Sequence, residues 1–441
     1  AMAVIEFFRG LDVLALIGTE AAEVAGNEDI VNVTYPDGSV LTYLGQFTYG
    51  DGGRPAGPID RIDYSGGGAL FARITQVDVP IEQINADGGF TSISAIARQV
   101  WAGDDTFVGS DERDVFDSYL GADALFGGGG GDLLFGFDGD DLVAGEAGDD
   151  TLLGGRGDDV LDGGPGRDLA SYDAAPRDFV LQVSRDGVTV TDRAADGLGS
   201  DRLVRVEEVE FLRSAEGGEP QDPSADDVTI PLDLLTGIAG LSQQDITTFV
   251  EMYIAYFDRA PDAEGLFYWG TRLSEGMELT QIARSFFVQD ETVALYPNAD
   301  DNAFLVDNVY RNLLERDPDA PGRAYWIEQL ELGTVERGEF ILAVIDGAKE
   351  FADPDAAPEL IAQAEADVRT ISDKADIGLY YAAIQGLNDV DQARAAMSAY
   401  DPADAAAGLA EAQAIADAAA ESPTDYVLQL TGVVDDPFAI A

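Results

Sequence analysis

The chain of 441 residues contains no histidine and no cysteine. Without cysteine there is no disulfide framework, no thiol nucleophile and no cysteine-based zinc site. Without histidine the commonest general base is missing, and with it the Ser–His and Cys–His arrangements and the HExxH zinc helix. Most hydrolase mechanisms are excluded on this inventory. Carboxylates, Ser, Tyr, Arg and two lysines, Lys349 and Lys374, remain for chemistry. Basic residues are scarce as well: 25 stand against 84 acidic ones, a formal charge of −59 spread over the whole sequence. Such a field repels nucleic acid and anionic membranes and attracts cations. A salt-adapted surface has the same signature, so position along the chain must decide what the acids do. Long apolar runs are also lacking. The best one near the start, residues 13–17, is short and flanked by Asp12 and Glu20, and no basic segment precedes it. No stretch has the length of a membrane span, so membrane insertion is not expected. Both a cytoplasmic protein and one exported by a route that does not read the N-terminus fit this start.

What is present is ample apolar material, 46% of the residues, enough for two or three domains with real cores. Residues 1–99 read as a β-rich module. Ile30-Val31-Asn32-Val33-Thr34 and Val40-Leu41-Thr42-Tyr43-Leu44 flank a Pro-Asp-Gly turn, and the stretches 59–64 and 69–74 repeat the design around Ser65-Gly66-Gly67-Gly68. Residues 100–171 are rich in Gly and Asp. Residues 172–225 return to β-like alternation, as in Val188-Thr189-Val190-Thr191, and end in a Gly/Pro linker at 217–223. From 226 to 421 the apolar period becomes helical. Ile246, Phe249, Val250, Tyr253, Ile254 and Phe257 mark one face, and Ser242 with Asp245 forms a capping-box pattern. A short tail, 422–441, closes the chain.

The central segment is periodic. Counted in nines from Val100, the sixth position of eight successive rungs is Asp105, Asp114, Asp123, Asp132, Asp141, Asp150, Asp159 and Asp168. The eighth position is Phe107, Phe116, Leu125, Leu134, Val143, Leu152, Leu161 and Ala170. The fourth is Gly in every rung except at Glu112. A flexible linker is the bland reading. Eight aspartates in register arise by chance on the order of once in twenty thousand, and a linker has no reason to place an apolar residue two positions after each one. Glycines permit positive-φ turns that point carbonyls to a common centre, and Asp adds a hard anionic oxygen, a ligand set suited to Ca²⁺. The segment has 18 acids against Arg113, Arg156 and Arg167, a net of −15 that would unfold a narrow solenoid without a cation.

These rungs, most cleanly Gly154-Gly155-Arg156-Gly157-Asp158-Asp159-Val160-Leu161-Asp162, resemble the hemolysin-type nonapeptide of the RTX calcium-binding family. The resemblance implies a parallel β-roll of two nonapeptides per turn, with Ca²⁺ between loops of neighbouring turns on the same side. The pairs would be Asp105/Asp123, Asp114/Asp132, Asp123/Asp141, Asp132/Asp150, Asp141/Asp159 and Asp150/Asp168, giving up to about six ions. Gly128, Gly130, Gly139, Gly148, Gly155, Gly157, Gly164 and Gly166 would complete the ligand loops. Glu112, Ser118 and the missing early glycines depart from the pattern. The flanks agree: Asp168-Leu169-Ala170-Ser171-Tyr172, with the stretches 188–192 and 201–207, resembles the segment that closes such rolls, and Gly45-Gln46-Phe47-Thr48-Tyr49 resembles an N-terminal β module. Both would cover solenoid ends whose open edges invite aggregation.

A second repeat, with an offset of 57, relates Tyr253, Arg259, Pro261, Asp262, Gly265, Tyr268, Trp269 and Gly276 to Tyr310, Arg316, Pro318, Asp319, Gly322, Tyr325, Trp326 and Gly333. It resembles a bacterial domain of unknown function, the 4214 type, found in secreted calcium-binding and surface-layer-like proteins. Asp262 and Asp319 read as helix caps, the arginines as partners of nearby acids, and the aromatics as core rather than a sugar-stacking platform. The tail, from Asp425-Tyr426-Val427-Leu428 to Phe438-Ala439-Ile440-Ala441, resembles the uncleaved C-terminal signals of type I exporters. The sequence therefore implies a multidomain β + α chain, a β-roll with flanking β modules and then an all-α repeat domain. The expected function is that of a secreted, non-catalytic, calcium-binding surface-layer, matrix or adhesin-like protein at or near the cell surface. Its candidate partners are the type I machinery, polysaccharide and copies of itself. The alternative is a carboxylate-based glycosidase, lyase or epimerase of polysaccharide, or an accessory module of one. The best acidic pair outside the array, Asp60 and Asp63, falls on opposite faces of a strand.

Overall fold

The computed structural model describes short strands between residues 4 and 75, and then residues 103–194, 197–212, 228–298, 301–350 and 357–439. The apolar run at 13–17, the Pro-Asp-Gly turn, Gln46 and Phe47, Val100, the linker at 217–223 and the side chains of Asp60 and Asp63 lie outside the described residues. The chain divides into two compact units, Ala1–Asp178 with Gly187–Leu232, and Phe179–Asp186 with Asp233–Ala441.

In the first unit, the nine-residue period becomes two parallel sheets. Strands Thr106–Val108, Ala124–Gly129, Leu142–Ala147 and Val160–Asp162 stack in one; Val115–Asp117, Leu133–Asp138, Thr151–Arg156 and Leu169–Tyr172 stack in the other. Partners are 18 residues apart, as in Leu125↔Val143 and Leu134↔Leu152. Two rungs therefore make one turn of a parallel β-roll. All eight residues at position eight, from Phe107 to Ala170, have 0% exposure and form a single file of core between the sheets. Alternation along each short strand places them inside.

The far end of the roll is covered on both sheets, whereas at its start one sheet is continued and Val115–Asp117 is the edge strand of the other among the described residues. Val4–Phe7 pairs parallel with Thr106–Val108 and antiparallel with Ala69–Thr75, and so joins the first rung to the antiparallel strands of the N-terminal module. At the other end, Ser200–Val204 pairs parallel with Val160–Asp162, and Glu208–Phe211 with Leu169–Tyr172. Each is then flanked by an antiparallel strand, Gly187–Asp192 or Val228–Pro231, which stops the parallel stacking.

The second unit is helical apart from Phe179–Ser184, which pairs parallel with Val427–Leu430. The tail is thus part of the folded unit, with Tyr426, Val427, Leu428 and Leu430 buried. Gln243–Phe257 is its central helix. The Ser242/Asp245 capping box starts it, and Asp258 ends it in the left-handed region at φ 50°. The second copy ends the same way at Glu315, φ 54°. Asp262 caps Ala263–Ser274 by accepting from Gly265 N, and Asp319 caps Ala320–Leu332 by accepting from Gly322 N. Arg259 makes a two-pronged pair with Glu291 and also reaches Asp262; Arg316 makes its pair with Asp367.

Tyr253 and Tyr310 are buried as expected, but the Tyr-Trp pairs of the repeat depart from the expected core. Tyr268 and Tyr325 are 37% and 52% exposed, and Trp269 and Trp326 are only half-buried, edge-on to Phe286 and Phe340. The buried stripe of the first of these helices is Ala263, Leu266, Phe267, Gly270 and Thr271. These residues follow helical spacing, and Tyr268 and Trp269 fall off that stripe.

Candidate metal centre

Stacking at 18-residue intervals superposes the aspartates of alternate rungs. The backbone N–H of Asp105, Asp114, Asp123, Asp132, Asp141 and Asp150 each donates to Oδ1 of the Asp one turn on, at 2.7–2.9 Å. The six pairs implied by the resemblance are thus brought together, and each Oδ1 is spent on holding register. A second ladder runs the opposite way at position five: Asp104, Asp140 and Asp149 accept from the N–H of Ala122, Asp158 and Arg167.

The other oxygen of each position-six carboxylate is the informative one. Oδ2 of Asp123, Asp132, Asp141, Asp150, Asp159 and Asp168 is buried and has no hydrogen-bond partner. A buried anionic oxygen without a donor is costly. Burial pushes Asp132, Asp141 and Asp159 up to about 7 and Asp168 to about 6, with neighbouring carboxylates adding to the shift and the backbone N–H opposing it. Asp150 is raised for the same first reason.

The oxygens around these orphans are carbonyls. The Cα of Gly127 is wedged between Asp132 Oδ2 and the Gly145 carbonyl, so that an added Cβ would stand 2.7 Å from that carbonyl oxygen. Gly136 is wedged in the same way between Asp141 Oδ2 and the Gly154 carbonyl, at 2.5 Å. Among the described residues no three carboxylates converge, so a cation here would draw most of its ligands from the backbone. Hard anionic and carbonyl oxygens crowded round an unsatisfied buried charge fit Ca²⁺. Bound there, the ion supplies the positive charge that these desolvated carboxylates lack.

The expected glycines have a clear place in this arrangement. Gly128, Gly130, Gly139, Gly148, Gly155, Gly157 and Gly164 lie at positive φ and turn the loops, whereas Gly166 lies outside that region and packs against the Gly148 carbonyl. At position two, Tyr119, Phe137 and Glu146 hold the same left-handed conformation at φ 69–72°.

The early rungs are built differently. Ser110 donates from both N and Oγ to Asp114 Oδ2, at 2.8 and 2.9 Å, and fills the demand that remains open in later rungs. Ser118 replaces the position-one glycine, and its hydroxyl donates to the Gly136 carbonyl at 2.7 Å. Asp114 and Asp123 both belong to the ladder, but only Asp114 Oδ2 receives serine donors; Asp123 Oδ2 is left without one, and Ser118 takes up the Gly136 carbonyl beside it.

Two groups of residues escaped the sequence reading. The position-one glycines Gly127, Gly136, Gly145, Gly154 and Gly163 abut the carboxylates directly; they were legible as the first Gly of each rung. Asp201 and Glu207 continue the ladder past the array: Asp201 Oδ1 accepts from Asp159 N at 3.1 Å, and Glu207 Oε2 from Asp168 N at 2.9 Å. The signal for the first was Gly199-Ser200-Asp201-Arg202-Leu203, the second half of a nonapeptide displaced from the phase of nine.

Residues 102–134 and 135–170 match the model of the RTX calcium-binding nonapeptide repeat. They are RTX repeats. Residues 283–353 match a domain of unknown function, DUF4214, which covers the second copy of the helical repeat. No curated protein matches the chain. Among solved structures, the AlgE6R3 subunit of the Azotobacter vinelandii mannuronan C5-epimerase is 24% identical, with a TM-score of 0.14, over 27% of this chain and 94% of that one. RTX repeats bind calcium and are typical of secreted proteins, and among the described residues no helix is long and apolar enough to cross a membrane.

Proposed function

We propose that this chain is a secreted, non-catalytic calcium-binding protein of the surface-layer, matrix or adhesin type, exported by a type I system and folded by calcium outside the cell. The observation that carries the reading is the row of buried carboxylate oxygens without hydrogen-bond donors, from Asp123 to Asp168. In a segment of net charge −15 they disfavour the roll until a cation arrives, so low calcium keeps the chain exportable and high calcium locks it. Asp132, Asp141 and Asp150, with the glycine carbonyls of their loops, are the proposed ligands of the central sites.

The chemical inventory supports a binding role. Nucleophile–base pairs involving His or Cys are absent from the sequence, and both lysines are engaged: Lys349 in a pair with Glu251, Lys374 with Glu315 and the Asn312 carbonyl. Polysaccharide is the partner that the helical unit suits best. A cleft of about 320 Å³ beside the second copy is lined by Tyr325, Trp326, Tyr310, Arg316, Gln363 and Asp367, with Tyr325 half-exposed at its mouth. Aromatic faces beside fixed polar groups stack on sugar rings.

Circular dichroism tests the first part. Chelator should abolish the roll's β signal and millimolar Ca²⁺ should restore it; a spectrum indifferent to calcium overturns the reading. Turnover of a polysaccharide panel, abolished by one carboxylate substitution outside the RTX loops, would overturn the non-catalytic assignment.

A further inference from the structure

We infer that the segment closing the roll, residues 199–207, is itself part of the calcium machinery and completes two cation sites that lie beyond the nonapeptide array, one with Asp159 and one with Asp168. The inference rests on the calcium reading above and extends it to residues outside the repeats.

The segment imitates two further rungs. Ser200–Val204 keeps register with Val160–Asp162 at an offset of 42, so that Gly199, Asp201 and Leu203 take the fourth, sixth and eighth places of a rung. Each does the work of its place. Gly199 has φ 102° and packs against the Gly157 carbonyl, Asp201 accepts from Asp159 N, and Leu203 is 5% exposed in the core file. Ser200 N also donates to Asp158 Oδ1, which continues the position-five ladder. On the other side, Glu208–Phe211 follows Leu169–Tyr172 at an offset of 39, so that Glu207 and Val209 take the sixth and eighth places. Three residues of that loop are missing relative to the other side. The longer side chain of Glu207 spans the shortened loop and still reaches Asp168 N.

Two observations point to a ligand rather than to mere closure. Asp168 is fully buried and Asp159 is 2% exposed, and in both Oδ2 is left without a hydrogen-bond partner, as in the central rungs. If the closing segment were only a lid, these last two carboxylates would be expected to receive donors, as Asp114 does from Ser110. The second observation is Arg205. It is held at φ 49°, in the left-handed region that glycine favours, and its carbonyl lies against the Cα of Gly163. That carbonyl takes the place that Gly145's takes against Gly127, and Asp168 Oδ2 would be 2.5 Å from a Cβ on Gly163. The Arg205 side chain is occupied elsewhere, in a two-pronged pair with Asp162. The end of the roll therefore offers the oxygen set of a central site: an orphaned Asp oxygen, a carbonyl one turn on, and a second carboxylate from Glu207.

The test counts ions on the full chain by equilibrium dialysis against Ca²⁺, with isothermal titration for affinities. Glu207→Gln keeps an acceptor for Asp168 N but removes the charge. It should bind one ion fewer than the wild type, or bind its last ion at least tenfold more weakly. Asp201→Asn should do the same at the Asp159 site. Glu208→Gln, whose side chain pairs with the exposed Arg167, should leave the count unchanged. Should either substitution unfold the roll, Glu207→Asp decides, because it keeps the charge and shortens the reach: its count stays whole while the affinity of one ion falls. Wild-type stoichiometry and affinity in Glu207→Gln and Asp201→Asn would overturn the inference and leave the calcium reading intact. A wild-type chain that binds no Ca²⁺ would overturn both.

Discussion

The carboxylates of the roll have opposite pH behaviour with and without the ion. In the metal-free chain, burial raises Asp132, Asp141 and Asp159 to about 7, against about 4 for an unfolded Asp. The folded state then binds more protons than the unfolded one between these values. Stability of the metal-free roll is greatest below pH 4 and falls as pH rises through 7. In chelator, the β signal of the roll should strengthen on acidification from pH 7.5 to 5. In calcium the trend reverses, because the ion competes with those same protons, and the midpoint calcium concentration should fall as pH rises from 5 to 7.5. A metal-free melting temperature that rises with pH would contradict the burial of these groups. Individual positions should differ sharply. Asp141 Oδ1 holds Asp123 N and its Oδ2 faces Gly136, so Asp141→Ala should cost about 3 kcal/mol or more in calcium, as for a broken buried ionic cluster. Asp111 is exposed and off the ligand position; Asp111→Ala should stay within about 0.5 kcal/mol.

At the scale of elements, the rung is a nine-residue unit whose second position, from the third rung on, holds a left-handed backbone. Gly128, Gly155 and Gly164 meet the demand without strain, but Glu146 holds φ 69° with a full side chain. Glu146→Gly should therefore stabilise the calcium-loaded roll by about 1 kcal/mol, read as a higher melting temperature. Helical elements carry a different lesson. Trp269 is half-buried against Phe286, so Trp269→Ala should cost about 2 kcal/mol rather than the 3–5 of a fully buried aromatic. The roll was legible in the sequence because each rung repeats the same local demands, so that phase alone places Asp, Gly and the apolar residue. The aromatics of the helical repeat were not legible in this way. Helical spacing lets a Tyr-Trp pair sit at the border of the buried stripe, and tertiary packing decides on which side it falls. Asp201 and Glu207 were hidden for a third reason: insertions shift them out of the phase of nine, and their equivalence to Asp159 and Asp168 emerges only from strand register. Ser118 and the missing early glycines stood out as departures, but that the hydroxyls of Ser110 and Ser118 fill the space around Asp114 and Gly136 required coordinates.

For the whole molecule, the two compact units draw stability from different sources. The first relies on a thin file of apolar residues and a row of charges that need an ion. The second has a broad helical core, including Phe249, Tyr256, Phe286 and Phe340, each almost fully buried, and ion pairs already complete within it. Calcium should therefore move one melting transition and leave the other in place. The strand Val427–Leu430 extends this argument to the tail. Leu428 is fully buried, and its strand pairs with Phe179–Ser184 inside the helical unit. Leu428→Asp places an unpaired charge in that core and should lower the calcium-independent transition by several kcal/mol of stability. The calcium-induced β signal should persist, because every ligand of the roll lies in the other unit. If Leu428→Asp abolished calcium-driven folding as well, the two units would be one cooperative system and not two separately stabilised ones.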